Sequence, residues 1–282
     1  MTWQADAGPN TDSLERLKEY YKSSKEYRAH LEAKGPGYFD EFVHVVCACS
    51  SLGDRILDVG CGTGESTRAI MQRNRNVIGT DVSPLFLGSR AGADVIPPYV
   101  VSDASFLPFA DCSFDVVCAM EFIEHVWPVE KFLGEMNRVL KTSGRIVIMS
   151  PNLLSPLWPV RDLADMVLHR RFRPPLYTSY REAVSFFRRS CRLTVKKMFS
   201  GEAQFVFREP DLVHADGGGD FDSVYASNAR DIILFLRKSG FDVDYATGPR
   251  RSVRSWISGS LARGCGSLWT SFLLKGTKLS HL

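Results

Sequence analysis

The 282-residue sequence predicts an α/β fold in which a doubly wound, mostly parallel sheet carries helices on both faces. Three observations predict it. Short apolar runs alternate with helical stretches from residue 55 to 149. A glycine-rich turn, Gly60-Cys61-Gly62-Thr63-Gly64, joins the first run to a helix. Hydrophobic residues make up 44% and charged residues 24%, the balance of a globular chain, which excludes disorder over most of the length.

In chain order, residues 12–34 read as one helix, capped by Asp12 with Glu15 three residues on, and with Leu14, Leu17, Tyr21 and Leu31 on a shared apolar stripe. Gly35-Pro36-Gly37 stops it, and 38–50 read as a second helix. Strands follow at 55–59, 76–80, 99–101 and 114–119. A helix opens near Glu65. Another starts at Pro128, and Val129, Phe132, Leu133, Met136, Val139 and Leu140 recur at helical spacing along it. Gly144 precedes a fifth strand, 145–149. Residues 152–226 break the rhythm with Pro156, Pro159, Pro174, Pro175 and Gly217-Gly218-Gly219. A helix at 228–239, ended by Gly240, and a strand at 241–245 resume it. A short basic helix at 252–263 and an apolar strand at 268–274 close the chain.

This pattern divides the chain into an N-terminal helical cover (1–50), a core (51–151), an inserted lid (152–226) and a segment completing the core (227–282). Charge is uneven. Residues 1–150 hold 15 basic and 20 acidic residues, and the remainder holds 20 and 12, so the two parts are expected to meet different partners, or the second part an anionic one. The seven cysteines are scattered and odd in number, which reads as free thiols in a reducing compartment. No apolar run approaches the roughly 18–20 residues of a membrane span, and the first residues lack the pattern of a secretory signal. The expectation is a cytoplasmic protein.

The chemistry is concentrated in Leu57-Asp58-Val59-Gly60-Cys61-Gly62-Thr63-Gly64-Glu65. A turn at the carboxyl edge of a strand is where open α/β sheets bind ligands. Dinucleotide sites use G-x-G-x-x-G with a pyrophosphate at the helix start. Here the spacing is G-x-G-x-G, Glu65 replaces the last glycine, and Asp58 precedes the turn. Two carboxylates would repel a pyrophosphate and suit a ligand bearing an ammonium and a sulfonium.

The sequence resembles the class I S-adenosylmethionine-dependent methyltransferases, and among them the small-molecule branch called type 11, which includes ubiquinone-biosynthesis-like enzymes. The residues that carry the resemblance are the loop Asp58–Gly64, Ile78-Gly79-Thr80-Asp81-Val82, Ser102-Asp103-Ala104 with Leu107-Pro108-Phe109, Phe114-Asp115-Val116-Val117 and Glu124-His125-Val126. It is specific over 54–152, weaker over 227–275 and absent from the lid. It implies a Rossmann-like, seven-stranded sheet and S-adenosylmethionine as cofactor. It also implies roles. Gly60, Cys61, Gly62 and Gly64 would approach the methionine part, Asp58 would meet its amino end, and Met120 would lie beside its chain. Asp81, followed by Val82, would take the ribose hydroxyls. Asp103 would accept from the adenine amino group, with Ala104 offering its amide. Asp115, inside a strand, reads as structural.

Methyl transfer needs a base only where the nucleophile carries a proton. If 121–125 is helical, Glu121, Glu124 and His125 share one face. His125 with Glu121 then reads as a catalytic pair, with His125 as general base. The alternatives are a divalent-metal set of Glu121, Glu124 and His125, as a similar E-x-x-E-H pattern implies in some RNA and quinone-precursor O-methyltransferases, and a structural polar cluster. A fourth metal ligand could only be His169 or His214, by elimination. The lid stretch 161–197 holds ten Arg or Lys among aromatic residues. It reads as a site for an anionic small-molecule acceptor, or as an ordinary basic surface. No RNA-binding motif supports a nucleic-acid partner. The basic, Trp-bearing stretch 250–278 could meet an anionic membrane, but burial as the last strand accounts for its apolar part. The function predicted is methyl transfer, at oxygen, to a small or medium-sized acceptor. Alternatives are a methyltransferase of glycan, nucleotide-sugar or secondary-metabolite synthesis, and a non-catalytic cofactor-binding or scaffolding subunit. The oligomeric state is not legible.

Overall fold

A computed structural model describes residues 11–35, 37–73, 76–87, 97–169, 177, 179–215, 219–247 and 271–280. The N-terminal stretch forms two helices, α1 (Thr11–Ser23) and α2 (Lys25–Glu32), where one was expected. The break is at Ser24. Its extended backbone leaves the helix, and its hydroxyl accepts from the Tyr27 amide, capping the next one. Asp12 lies inside the first turn of α1 instead of capping it. The predicted stripe is present: Leu17 and Tyr21 are buried, with Leu14 and Leu31 packed around them. Helix α3 (Asp40–Ala48) follows.

The core reads β1 (Ile56–Val59), α4 (Glu65–Met71), β2 (Val77–Asp81), α5 (Pro84–Leu87), β3 (Tyr99–Val101), β4 (Phe114–Met120), α6 (Val129–Val139) and β5 (Leu140–Pro151). Beyond it come α7 (Leu157–His169), α8 (Tyr180–Met198), α9 (Ala229–Lys238), β6 (Phe241–Thr247) and β7 (Ser271–Lys278). The seven strands lie in the order β3-β2-β1-β4-β5-β7-β6, with β7 antiparallel to both neighbours and the other pairs parallel. The last strand, described from Ser271 on, extends to Lys278, beyond the expected end at 274, and enters the sheet between β5 and β6. The expected helix at 252–263 and Cys265 lie outside the described residues.

Alternation along β1 assigns the faces. Leu57 and Val59 join Phe132, Leu133, Met136, Ile232 and Leu236 beneath α6 and α9. Ile56 joins Phe42, Val43, Val46 and Ile70 beneath α3 and α4. The order reverses at β1, since the chain builds outward through β2 and β3 and returns to add β4 and β5. The loops after β1 and β4 therefore part and leave a crevice at the strands' carboxyl ends.

Residues 152–226 contain two long helices and a small core of their own, including Leu153, Leu154, Trp158, Tyr177 and Phe186. A buried ion pair ties this segment to the sheet layer. Lys197 of α8 and Asp231 of α9 are 4% and 1% exposed and bonded to one another. Asp231 also accepts from the Asn228 side chain at 2.6 Å and the Gln204 amide at 3.1 Å. Removing one member of such a pair strands a buried charge. Asp231→Ala should therefore lower unfolding free energy by about 3–5 kcal/mol in urea titration. A loss near zero would mean that Lys197 finds water or another partner.

Candidate functional site

The turn after β1 is shaped by its backbone. Gly60, Gly62 and Gly64 all have positive φ, at 68°, 53° and 73°. Gly60 also admits no side chain, because a Cβ would come within 2.0 Å of the Phe122 ring. Gly64 caps α4 in a left-handed conformation that its missing side chain permits. Beneath the turn, Asp58 is 1% exposed and accepts from Ser66 Oγ and Thr67 Oγ1, both at 2.7 Å, with the Cys118 thiol at 3.9 Å. Burial raises its carboxyl to about 6, against the pull of these donors.

A cleft of about 1080 Å³ opens above the turn. Gly60, Gly62, Asp81, Val82, Asp103 and Ala104 line it, while Asp58, Cys61, Gly64 and Met120 stand behind its walls. Asp81 ends β2. Its Oδ2 accepts from the Gly62 amide at 3.0 Å and its Oδ1 from the Ser83 amide at 2.9 Å. Burial raises it, too, to about 6. Asp103 accepts from the Ser105 amide at 2.8 Å and from Lys18 Nζ of α1 at 2.9 Å. Burial opposes ionisation of Asp103, but the Lys18 ammonium outweighs it and holds the carboxyl below its usual range. Tyr21, Tyr27, Phe86 and Trp127 close the cleft with aromatic surface.

A second cleft, of about 1220 Å³, adjoins the first, and Tyr27, Leu31, Glu121 and His125 line both. Its other walls include Lys34, Tyr38, Trp158, Arg161 and Asp220. The residues after β4 are not a regular helix. Glu121 has φ of 47°, and only Ile123–His125 form a 3₁₀ turn. Glu121 accepts from Lys34 Nζ at 3.1 Å and from the Tyr38 hydroxyl. The expected helix does not form, yet Glu121, Glu124 and His125 all border the second cleft. Left-handed backbone at a residue other than glycine is strained and clusters at functional sites.

His125 meets a different set. Its Nδ1 is 3.2 Å from Asp222 Oδ2 and 3.0 Å from the Tyr21 hydroxyl, which donates to the same carboxylate oxygen at 2.7 Å. Its Nε2 is 3.8 Å from Glu124 Oε1. Burial disfavours the imidazolium, but Asp222 and then Glu124 outweigh it and raise His125 to about 9. As arranged, these carboxylates favour the protonated ring. Arg208, almost wholly buried, bonds the Asp220 carbonyl and the Ser223 hydroxyl and so fixes the turn bearing both aspartates. The sequence analysis did not find Lys18, Asp220 or Asp222. The Gly217-Gly218-Gly219-Asp220-Phe221-Asp222 tract was the available signal for the aspartates; nothing marked Lys18. Of the proposed fourth ligands, His214 pairs with Asp211 on the surface at 2.8 Å, and the His169 side chain lies outside the described residues. Asp115, read as structural, is held by Lys141 at 2.8 Å.

Residues 57–148 match the family described as a methyltransferase domain. A demethylmenaquinone methyltransferase of Clavibacter sepedonicus is 43% identical over 100 residues, covering 34% of this chain and 40% of that one. The chain spans about two fifths of the length of the curated relatives it matches. Two solved structures share the fold. The (4+2)-cyclase SpnF has a TM-score of 0.57 at 16% identity, covering 97% of this chain and 98% of that one. A Burkholderia thailandensis 1,6-didemethyltoxoflavin-N1-methyltransferase, solved with S-adenosylhomocysteine, has 0.55 at 13%, covering 97% and 92%.

Two outcomes follow for the first cleft. Gly60→Ala should abolish calorimetric binding of S-adenosylmethionine, because Phe122 must move into the cleft to admit the methyl. An ionised Asp81 accepts from hydroxyl donors of a ligand, and an ionised Asp58 keeps the bonds from Ser66 and Thr67 that shape the turn. Affinity should therefore hold above pH 7 and fall as pH drops through 6, by up to about tenfold per pH unit for each group that must ionise. Calorimetry across pH 5–8 reads this, and Asp81→Asn should flatten the profile.

Proposed function

We propose that this chain, whose residues 57–148 belong to the S-adenosylmethionine-dependent methyltransferase domains, transfers a methyl group to a small or medium-sized acceptor held in the second cleft. The observation that carries the reading is the junction of the clefts at Tyr27, Leu31, Glu121 and His125. A donor site and an acceptor site must meet along one line for displacement at carbon, and these four residues border the meeting place.

The residues of the first cleft fit the cofactor. Asp81 accepts from backbone amides that include those of Gly62 and Ser83, and a carboxylate at the end of β2, with about four acceptor sites, suits a ribose hydroxyl. Asp103 is an acceptor for the adenine amino group once Lys18 yields it. Asp58 acts from behind, holding the start of α4 so that the glycine turn keeps its shape. The cofactor, when bound, supplies a methyl on a sulfonium that is already activated. The protein's own work is alignment and exclusion of water. The aromatic wall of Tyr21, Tyr27, Phe86 and Trp127 serves the second task.

In the second cleft, Glu121 is the positioning residue. Lys34 and Tyr38 hold its carboxylate, and the strained backbone aims it across the junction. His125 borders the acceptor from the other side. Carboxylates and imidazole facing this cleft favour a hydroxyl-bearing acceptor and hence methylation at oxygen. The Clavibacter relative is named for a quinone-type acceptor, which is compatible in size. However, the matched family region ends at 148, before Trp158, Arg161 and Asp220, so the acceptor is set by residues outside it. The segment 152–226 is thus the substrate-selecting cap. Its basic residue Arg161, with Lys34 opposite, supports an acceptor bearing negative charge.

Transfer of labelled methyl from S-adenosylmethionine into a metabolite extract tests the reading. Cofactor binding without any labelled product would favour a non-catalytic role. Once the acceptor is known, Glu121→Gln should lower kcat by about 10²-fold, the cost of a misaligned reactant, and leave calorimetric cofactor affinity almost unchanged.

A further inference from the structure

The polar cluster on the floor of the second cleft contains more acid than its cations balance. Glu124, Asp220 and Asp222 converge on His125 from the turn after β4 and from residues 220–222. One feature marks this as more than an acidic cluster. Glu124 is fully buried, and its Oε1 has no hydrogen-bond partner among the described residues. A buried carboxylate oxygen without a donor is costly. It lies 3.8 Å from His125 Nε2, on the side where Asp220 also stands.

We propose that Glu124, His125 and Asp220 form a divalent-cation site of one imidazole and two carboxylates. One ligand atom from each lies within 4.8 Å of the others. Metal–ligand bonds of about 2.0–2.4 Å place two ligands on one ion up to about 4.8 Å apart. Only small side-chain rotations are needed. The surroundings are those of a metal-bound histidine. Asp222 accepts a hydrogen bond from Nδ1–H, so the ion would take Nε2 by displacing the proton there, and Tyr21 steadies Asp222. Ser150 donates to Glu124 Oε2 at 3.1 Å, leaving Oε1 to the site. The amides of Val224 and Tyr225 donate to the Glu124 carbonyl at 2.8 and 3.0 Å, stitching the two ligand-bearing segments together.

The donor set suits Mn²⁺ or Zn²⁺. Three protein ligands leave positions open toward the cleft, where an acceptor oxygen could complete the shell. That use of the ion rests on the acceptor-cleft reading above, whereas its binding does not. Glu121, bonded to Lys34 and Tyr38, is not among the ligands.

The full chain, treated with chelator, is titrated with Mn²⁺ and then Zn²⁺ by calorimetry, with loss of the free Mn²⁺ paramagnetic resonance signal as a second readout. S-adenosylmethionine binding is measured on the same sample. One ion per chain is expected, with a rise in Tm that saturates at that ratio. Asp220→Asn and Glu124→Gln, checked for folding by circular dichroism, should each weaken uptake by about tenfold or more. Uptake of neither ion by folded wild-type chain at millimolar concentration overturns the site, as does uptake that both variants leave unchanged. Should neither variant fold, the wild-type stoichiometry and Tm decide alone. A chain that binds S-adenosylmethionine but no ion refutes the metal site and leaves the methyl-transfer reading standing; the reverse result does the opposite.

Discussion

Ser66 and Thr67 reach back from the first turn of α4 to one oxygen of Asp58, and much of the molecule depends on that contact. A carboxylate buried in a sheet would ordinarily be a defect. Here two hydroxyls satisfy it and in doing so fix where the helix starts. The three left-handed glycines then have one path between strand and helix. With that path fixed, Asp81 meets the Gly62 amide, and the turn presents backbone to the cleft. Asp58 itself lines no part of that cleft. Its contribution is mechanical and electrostatic.

The core was legible because its signals are local. Apolar runs of four to seven residues, each bounded by a turn, can only be strands buried on both faces, and the glycine spacing locates the sheet's reversal. The first helix was misread because Ser24 looks like any polar residue on an exposed face. Only its hydroxyl's bond to the Tyr27 amide turns it into a boundary. The Glu121–His125 segment failed for a related reason. Spacing rules place side chains only after the backbone is known, and a positive φ at Glu121 breaks the expected helix. Asp220 and Asp222 are about a hundred residues from His125 in sequence. No periodicity links them, and only the packing of the cap against the turn after β4 brings them together.

The two clefts differ in how they treat charge. At the first, Asp58 and Asp81 are held by hydroxyls and backbone amides and raised by burial, and Asp103 alone of the three aspartates meets an ammonium, that of Lys18. In the second, full charges face one another: Lys34 with Glu121, and His125 with Asp222. The cap contributes to the second cleft alone. A fold shared with both a cyclase and a methyltransferase can host different chemistry.

The antiparallel strand β7 lies inside the sheet, hydrogen-bonded to β5 on one side and β6 on the other. It is also the last of the seven to leave the ribosome. Until residues 271–278 emerge, β5 has an open flank and β6 has no neighbour at all. Folding that follows synthesis can therefore assemble five strands, but it must wait for the final segment to slot between two elements made earlier. A nascent chain stalled before that point would expose two unpaired strand margins, the kind of surface that invites self-association.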